Sequence, residues 1–446
     1  MLDRRHNHQT AKRGVVLLIT MWALIVLGLI ALQVSVEVRR DIKITALQRD
    51  DFRARSLARA GIGQAVCDIK NDTIADNDPL RETQQPFDAL TDIWRSKATL
   101  EEPHVLEFET YTGSFYYTVQ DEESKLNINR SSRELLKSAL MHLGRDEFDS
   151  ELLACAIFDW RDANDGTNFM SAEARERADL SLAERELEAE LIDPRTGQAS
   201  YPENIVYGRE MRNEDYMVLE ELLDIPGITP ELLYGRNPLI EQLPPNPFPV
   251  VYDSEQDLRD RRRSGRQPGL VDFFTAQPTK SLNLNTASLD ALIILFDAML
   301  LHQDYEQAVE MAEEILRERG DPDRRQRSEE AFTNLGDAAR LPQLSQSNIS
   351  RLTRLHPLGV QSNYFTIYAQ GQANNSRAFF GAVVNRRMVR YQLAGPDGQV
   401  GGNNANWRDS SRSRDRAQQR SSRNRVGTPE NVVEEPRVQC VMWMEW

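Results

Sequence analysis

The chain has 446 residues, enough for two or more domains, and carries 69 acidic against 54 basic side chains, a formal charge of −15. That balance argues against nonspecific nucleic-acid binding, which requires a basic face. Three cysteines, Cys67, Cys155 and Cys440, lack metal-ligand spacing, and their odd number excludes a complete disulfide framework. Isolated thiols, or one disulfide in an oxidising compartment, fit them. Residues Val15 to Val36 then run without a charge. At about 1.5 Å per residue they make a helix about 33 Å long, enough to cross a bilayer core. Arg4, Arg5, Lys12 and Arg13 precede the run, and the positive-inside rule keeps that leader cytoplasmic. The run is longer than the apolar region of a secretory signal, and the small residue at the right place, Gly14, lies before it. Alternating faces continue through Leu57, Ala58, Gly61, Ile62 and Ala65 without proline. One helix is therefore predicted from Val15 to about Lys70, half in lipid and half amphipathic. By itself this N-terminus also fits a plain single-pass anchor carrying an unrelated domain.

A polar loop follows from Asn71 to Pro86, and His104 to Gln120 then reads as two strands turning near Thr112-Gly113. From about Ser124 to Leu344 the pattern is mostly helical and contains an echo. Leu126-Asn127-Ile128-Asn129 aligns with Leu282-Asn283-Leu284-Asn285, and Ser132 with Ser288. Ser131 or Thr286 can cap the helix that follows, with Glu134 or Asp290 favouring its dipole. Two related modules are predicted, about 124–279 and 280–345. Between the two copies of the echo lies Leu222-Leu223-Asp224-Ile225-Pro226-Gly227-Ile228-Thr229-Pro230, which resembles a helix-hairpin-helix turn. DNA-binding versions hold phosphate on the hairpin amides. Here Glu220, Glu221, Asp224 and Glu231 surround it, which favours a structural turn.

Asp159, Asp162, Asn164, Asp165 and Glu173 place hard oxygens along a short stretch that contains Gly166. Calcium takes about 6–8 such oxygens. The spacing is not that of an EF-hand, and a solvated acidic turn with helix caps fits the same residues. Trp160 reads as a core anchor. Segment 172–200 reads as a charged, helix-like insertion with a solvated face, and 244–269, with basic residues from Arg259 to Arg266, as an exposed loop. Strands return at Tyr364 to Gly371 and Ala378 to Leu393, the second with Arg386, Arg387 and Arg390 expected toward water. Residues 394–436 have few apolar side chains and read as a disordered linker, and 437–446 as a last strand.

Lys12-Arg13-Gly14 followed by Val15-Val16-Leu17-Leu18-Ile19 resembles the class III signal peptides of type IV pilins and type II secretion pseudopilins. In that family a membrane peptidase cuts after the glycine, so the resemblance implies cleavage between Gly14 and Val15, a leader of 1–14 and a mature helix of 15–70. The first mature residue departs from the usual Phe or Met. The fifth mature position holds Ile19 where major pilins carry glutamate. A mid-membrane charge costs about 2.5–3.5 kcal/mol to insert, and a subunit with nothing above it gains nothing from one. Absence of that glutamate, the asparagine-rich helix starts, the Pro-Gly turn, the Asp159-Trp160 stretch and the Tyr364-Phe365 strand together resemble the K-type minor pseudopilins (general secretion pathway protein K family). The resemblance implies an α+β fold, with a pilin-like helix and antiparallel sheet (71–123 and 346–393) interrupted by an all-helical, helix-hairpin-helix/SAM-like, two-module insertion (124–345). It implies a noncatalytic subunit at the pseudopilus tip, in the bacterial inner membrane, with its N-terminus cytoplasmic and its bulk periplasmic. It further implies structural Ca2+ on the acidic loop. The implied partners are I- and J-type minor pseudopilins, the major pseudopilin, the inner-membrane secretion platform and prepilin peptidase, with no nucleic acid.

An anchored enzyme is disfavoured because His6, His8, His104, His142, His302 and His356 are scattered, and no Ser/His/Asp or Cys/His arrangement is visible. The other reading is a membrane-anchored helix-hairpin-helix DNA-binding or uptake protein.

Overall fold

The computed structural model describes residues 7–76, 87–95, 104–108, 111–163, 166–167, 191–192, 199–202, 211–236, 265–319, 331–392 and 432–445. Helix α1 runs unbroken from Asn7 to Asp76. No proline interrupts it, so its length follows from the sequence. Its upper half, from Val15 to about Val38, is exposed all round, which is the pattern of a lipid-facing helix. Its lower half buries a single stripe: Ala54, Leu57, Ala58, Ile62, Ala65 and Ile69. Burying a side chain such as Leu57 or Ile69 contributes about 1.5–3 kcal/mol.

That stripe lies on an antiparallel sheet. Strands β1 (His104–Phe108) and β2 (Tyr111–Asp121) form a hairpin that turns between Phe108 and Tyr111, earlier than the expected Thr112-Gly113. The chain then leaves the sheet at Asp121 for the inserted domain. Strand β3 (Leu126–Asn127) leads to α2 (Arg133–His142) and α3 (Glu147–Asp159). The end of the expected helix-like insertion is extended instead: β5 (Leu191–Ile192) and the start of β6 (Ala199–Pro202) fall within it, and with β4 (Gly166–Thr167), which precedes it, they form a small sheet ordered β4-β6-β5. The other residues of 172–200, most of 244–269 and all of 394–431 lie outside the described residues, while 432–436, expected to be disordered, already belong to the last strand. The hairpin region gives a 3-10 turn over Leu219–Asp224 and α4 (Pro230–Tyr234). After α5 (Leu270–Phe273), β7 (Phe274–Thr275) returns parallel to β3 and closes the first module.

The second module repeats the plan. Strand β8 (Leu282–Asn283) leads to α6 (Leu289–Met299) and α7 (Tyr305–Glu318), then α8 (Leu335–Ala338) and α9 (Gln346–Leu355). Strand β9 (Leu358–Gly359) closes it, parallel to β8. The module therefore extends to Gly359, beyond the expected boundary at 345, because Ile349 and Leu352 of α9 are part of the shared helical core. The chain re-enters the sheet with β10 (Tyr364–Ala373) and β11 (Ser376–Gln392), turning through Asn374 at φ 52°. Strand β12 (Val432–Glu445) completes the order β1-β2-β10-β11-β12. The result is an α+β protein with two cores: one between α1 and the sheet, one inside the helical insertion.

Gly371 fixes the distance between α1 and the sheet. A Cβ there would lie 2.1 Å from Ala54 O and 2.4 Å from Ala58 N, so helix backbone rests directly on β10.

Candidate functional sites

The leader and the anchor come first. Gly14 and Val15 both lie inside α1, with no break at the expected cleavage point. The most apolar 18-residue window of the helix has a mean hydropathy of 2.9, and none of it is buried. This helix is long and apolar enough to cross a membrane.

The acidic loop starts where α3 ends. Asp159 is buried, and the amides of Arg161 and Asp162 close on Phe158 O at 3.2 Å each. Asp162 is half-buried. Trp160 is a core anchor, as expected, stacked on Tyr216 with centroids 6.3 Å apart. Asn213, in a left-handed conformation (φ 56°), donates its amide to Trp160 O at 2.8 Å and so lies beside the loop. Thr167 Oγ1 is buried with no hydrogen-bond partner among the described residues. Asn164, Asp165 and Glu173 lie outside the described residues. The described part of the donor set is all oxygen and suits a hard cation. Asp159 and Asp162 would hold it, and the orphaned hydroxyl of Thr167 lies on the same connection.

Among the described residues the three acidic side chains with carboxylate oxygens close enough to share an ion are Asp72, Asp88 and Asp92. Their cation is already present as a side chain. Arg386 Nη2 reaches both Asp88 oxygens at 2.6 and 2.5 Å, and Arg386 Nη1 lies 3.7 Å from Asp72 Oδ2. Asp92 Oδ2 accepts the Ala89 amide at 2.7 Å. Arg386 is thus buried in an ion pair and does not face water as strand alternation suggested. The segment around Asp88 covers that face of β11.

The hairpin turn is a packing device. Gly227 has φ 95°, and a Cβ there would lie 2.8 Å from Leu153 Cδ2, so the apex is pressed against α3. Leu222, Ile225, Ile228, Leu232 and Leu233 join the helical core. Thr229 caps α4, accepting from the Leu232 amide at 3.3 Å. Helix α4 has only five residues, and the turn is flanked by carboxylates.

The echo extends much further than the sequence showed. The caps are Ser132 and Ser288, whose hydroxyls accept from the amides of Leu135 (3.3 Å) and Ala291 (3.2 Å). Ser131 and Thr286, expected to cap, instead donate to Asn127 O and Asp121 Oδ2. Asn129 brackets Tyr216, accepting its amide at 2.8 Å and donating to its carbonyl at 2.9 Å. Asn285 brackets Phe332 in the same way, at 2.9 and 3.0 Å. Arg161 donates to the carbonyls of Ile128 and Ser131, and Arg319 to those of Leu284 (3.2 Å) and Ala287 (2.6 Å). A second hairpin also appears. Ile228 N bonds Ile225 O at 3.1 Å, and Leu344 N bonds Leu341 O at 3.0 Å, so Leu341-Pro342-Gln343-Leu344-Ser345 repeats the Ile-Pro-Gly-Ile-Thr turn.

Folding also gathers scattered polar groups where the modules meet. His142 Nε2 lies 2.9 Å from Asp290 Oδ1, and its Nδ1 lies 3.0 Å from the Tyr305 hydroxyl. His302 Nδ1 lies 2.7 Å from Asp297 Oδ2, which also takes Ser138 Oγ at 2.6 Å. Burial pushes Asp297 up, but the bonds from His302 and Ser138 outweigh it and hold the carboxyl below its usual range. The Ser138 hydroxyl is buried and turned to the carboxylate, not to the imidazole, so this is no activated nucleophile. All three cysteines are free thiols: Cys155 buried, Cys67 exposed and Cys440 half-buried.

No protein-family model matches the chain, and no curated protein matches it. One similar solved structure is the GspK-GspI-GspJ complex of the enterotoxigenic Escherichia coli type 2 secretion system. The likeness has a TM-score of 0.45 and 14% identity, and covers 77% of this chain and 94% of that one. At that depth it is no measure of function.

Proposed function

We propose that this chain is a noncatalytic minor pseudopilin of a type II secretion system, held in the bacterial inner membrane by α1 and placed at the tip of the pseudopilus. The observation that carries this reading is α1 itself. A single unbroken helix passes from an apolar half that none of the described residues covers to a half seated on an antiparallel sheet. Such a helix can hold a subunit in the bilayer and later pack it beside other helices. The sequence around Gly14, with Ile19 where a carboxylate would serve a subunit below another, supports the tip position. So does the inserted domain, which interrupts the sheet between β2 and β10 and would crowd every neighbour if repeated along a filament. Its partners in this reading are I- and J-type minor pseudopilins, with prepilin peptidase acting on the leader.

The mass of the mature N-terminus from bacterial membranes tests it. A chain beginning at Val15, and a Gly14→Asp variant that keeps its leader and loses secretion, are the expected results. A chain beginning at Met1, or one cut after the apolar run, would overturn the pseudopilin reading. Failure to co-purify with other minor pseudopilins, with the leader correctly removed, would overturn the tip assignment alone.

A further inference from the structure

The chain crosses between sheet and insertion twice, and both crossings pass one buried group of carboxylates. The outgoing crossing is Asp121 to Ser124, and the return runs from β9 to Tyr364. Asp121 Oδ2 accepts from Ser362 Oγ on the return crossing and from Thr286 Oγ1 of the second module, each at 2.5 Å. Asp121 Oδ1 accepts the Glu123 amide at 2.8 Å. Glu123 Oε2 accepts the Tyr364 amide at 2.9 Å. Glu122 joins Thr275 at the end of the first module to Thr366 of β10, both hydroxyls lying at 2.5 Å. Asp88 accepts the Ser362 amide at 2.7 Å, and its carbonyl takes Asn283 Nδ2 at 3.2 Å. Sheet, both crossings and both modules are therefore tied through these few side chains.

Charge is unbalanced there. Arg386 from β11 is committed to Asp88 and faces Asp72 of α1. Lys125, the next residue but one after Glu123, is itself buried, and Tyr364 and Tyr368 add phenols on β10. Among the described residues, no ion pair reaches Asp121 or Glu123. Both are almost wholly buried, and Glu123 Oε1 has no hydrogen-bond partner among the described residues. A cavity of about 10 Å³ adjoins the group, large enough for about one water molecule; Trp94, Gln120, Asp121 and Thr286 line it together with Arg95, the one cation on its wall among the described residues. Two buried carboxylate anions in one group, with no ion pair to either among the described residues, are costly, and a proton removes the cost.

We propose that protons lock this junction: with Asp121 and Glu123 neutral, the helical domain is fixed to the anchored sheet, and their ionisation loosens both crossings together. Burial is the main force on each group. It lifts Asp121 to about 7 against the pull of the Ser362 and Thr286 hydroxyls, with the Asp88 charge adding to the rise. Burial, then the charge of Asp121, lifts Glu123 well above the ordinary range. Both folded values lie above the unfolded ones, so the native state holds the extra protons. The stabilisation is complete below about pH 4 and is lost as pH rises through about 7 for Asp121.

Hydrogen exchange on the full chain in detergent, corrected for intrinsic rates, tests the lock at the amides of Glu123, Ser362 and Tyr364. Between pH 5.5 and 7.5 their protection should fall by up to about tenfold per pH unit for each group, while amides of α2 keep theirs. Asp121→Asn and Glu123→Gln, each permanently neutral, should flatten that dependence, and the second serves if the first does not fold. Equal pH dependence in wild type and both variants, or none in wild type, would overturn the lock. Loss of protection at pH 5.5 on adding a chelator, at these amides and not at those of α2, would also overturn it, because a divalent cation and not a proton would then neutralise the group.

Discussion

Replacing Gly371 with alanine adds one methyl group where α1 leaves no room for it. The new carbon would stand 2.1 Å from Ala54 O, 2.4 Å from Ala58 N and 2.8 Å from Leu57 Cβ. Carbon–oxygen contacts settle near about 3.3 Å, so helix and strand must separate by roughly 1 Å. Two of the three obstacles are backbone atoms, which no rotamer change can move. Separation would slacken contacts along the whole buried stripe from Ala54 to Ile69. Overpacking costs about 1–3 kcal/mol, and a backbone obstacle puts this case at the upper end, about 3 kcal/mol. At roughly 2–4 °C per kcal/mol, the melting temperature of the sheet core should fall by about 6–12 °C, read by thermal scanning in detergent. Gly63 supplies the control. It lies on the exposed side of the same helix with nothing within 4 Å of its Cβ position, so Gly63→Ala should stabilise by about 0.5–1 kcal/mol. Gly371→Ala melting within 2 °C of wild type, alongside the Gly63→Ala gain, would refute the seating of α1 on β10.

Arg386→Ala would leave Asp88 buried without its cation and should cost about 3–5 kcal/mol in denaturant unfolding, whereas Arg386→Met combined with Asp88→Asn should recover most of it. A surface-like loss below 1 kcal/mol would show that the pair is hydrated. Asn129→Ala and Asn285→Ala each strand one amide and one carbonyl, and each should cost about 2–4 kcal/mol. Asn285 is the more buried of the two and should be the more costly; a negligible loss at Asn285 would show that its bracket is not needed for closure.

The elements that sequence reveals here are those specified by local pattern. The apolar run and the stripe that follows it define α1, and alternation marks β2, β10 and β11. The repeated Leu-Asn-x-Asn marks both helix starts. What escaped depends on contacts distant in sequence. Asp121-Glu122-Glu123 looks like a solvated acidic turn until Thr286, Ser362 and Tyr364 are brought over it. Arg386 sits at a position that alternation assigns to solvent, and the segment around Asp88 covers it. Caps shift by one or two residues because Ser131 and Thr286 find other acceptors. The second hairpin escaped for a different reason. Gly227 needs φ 95°, whereas Gln343 is not among the positive-φ residues, so the second turn closes without glycine and loses the sequence signature.

The two modules bear differently on the acidic loop. Ser138 and Ile294 hold equivalent places, six residues after each serine cap, and Ser138 Oγ reaches Ile294 O at 2.9 Å. The modules thus meet through matching points of α2 and α6, as the subunits of an isologous dimer do. In the second module the connection from Arg319 to Phe332 closes the same Asn bracket and the same arginine clamp as the long connection from Arg161 to Tyr216 in the first. The extra length is therefore not required by the module's own closure, so the calcium expected on its acidic side chains can be tested apart from the fold. Replacing residues 162–215 with residues 320–331 should give a chain that folds and melts within a few degrees of wild type. Chelator should lower the melting temperature of wild type, by an amount set by calcium occupancy, and leave the chimera unmoved. A chimera that does not fold would make the long connection part of the module's core, and a wild type indifferent to chelator would return Asp159 and Asp162 to capping and packing.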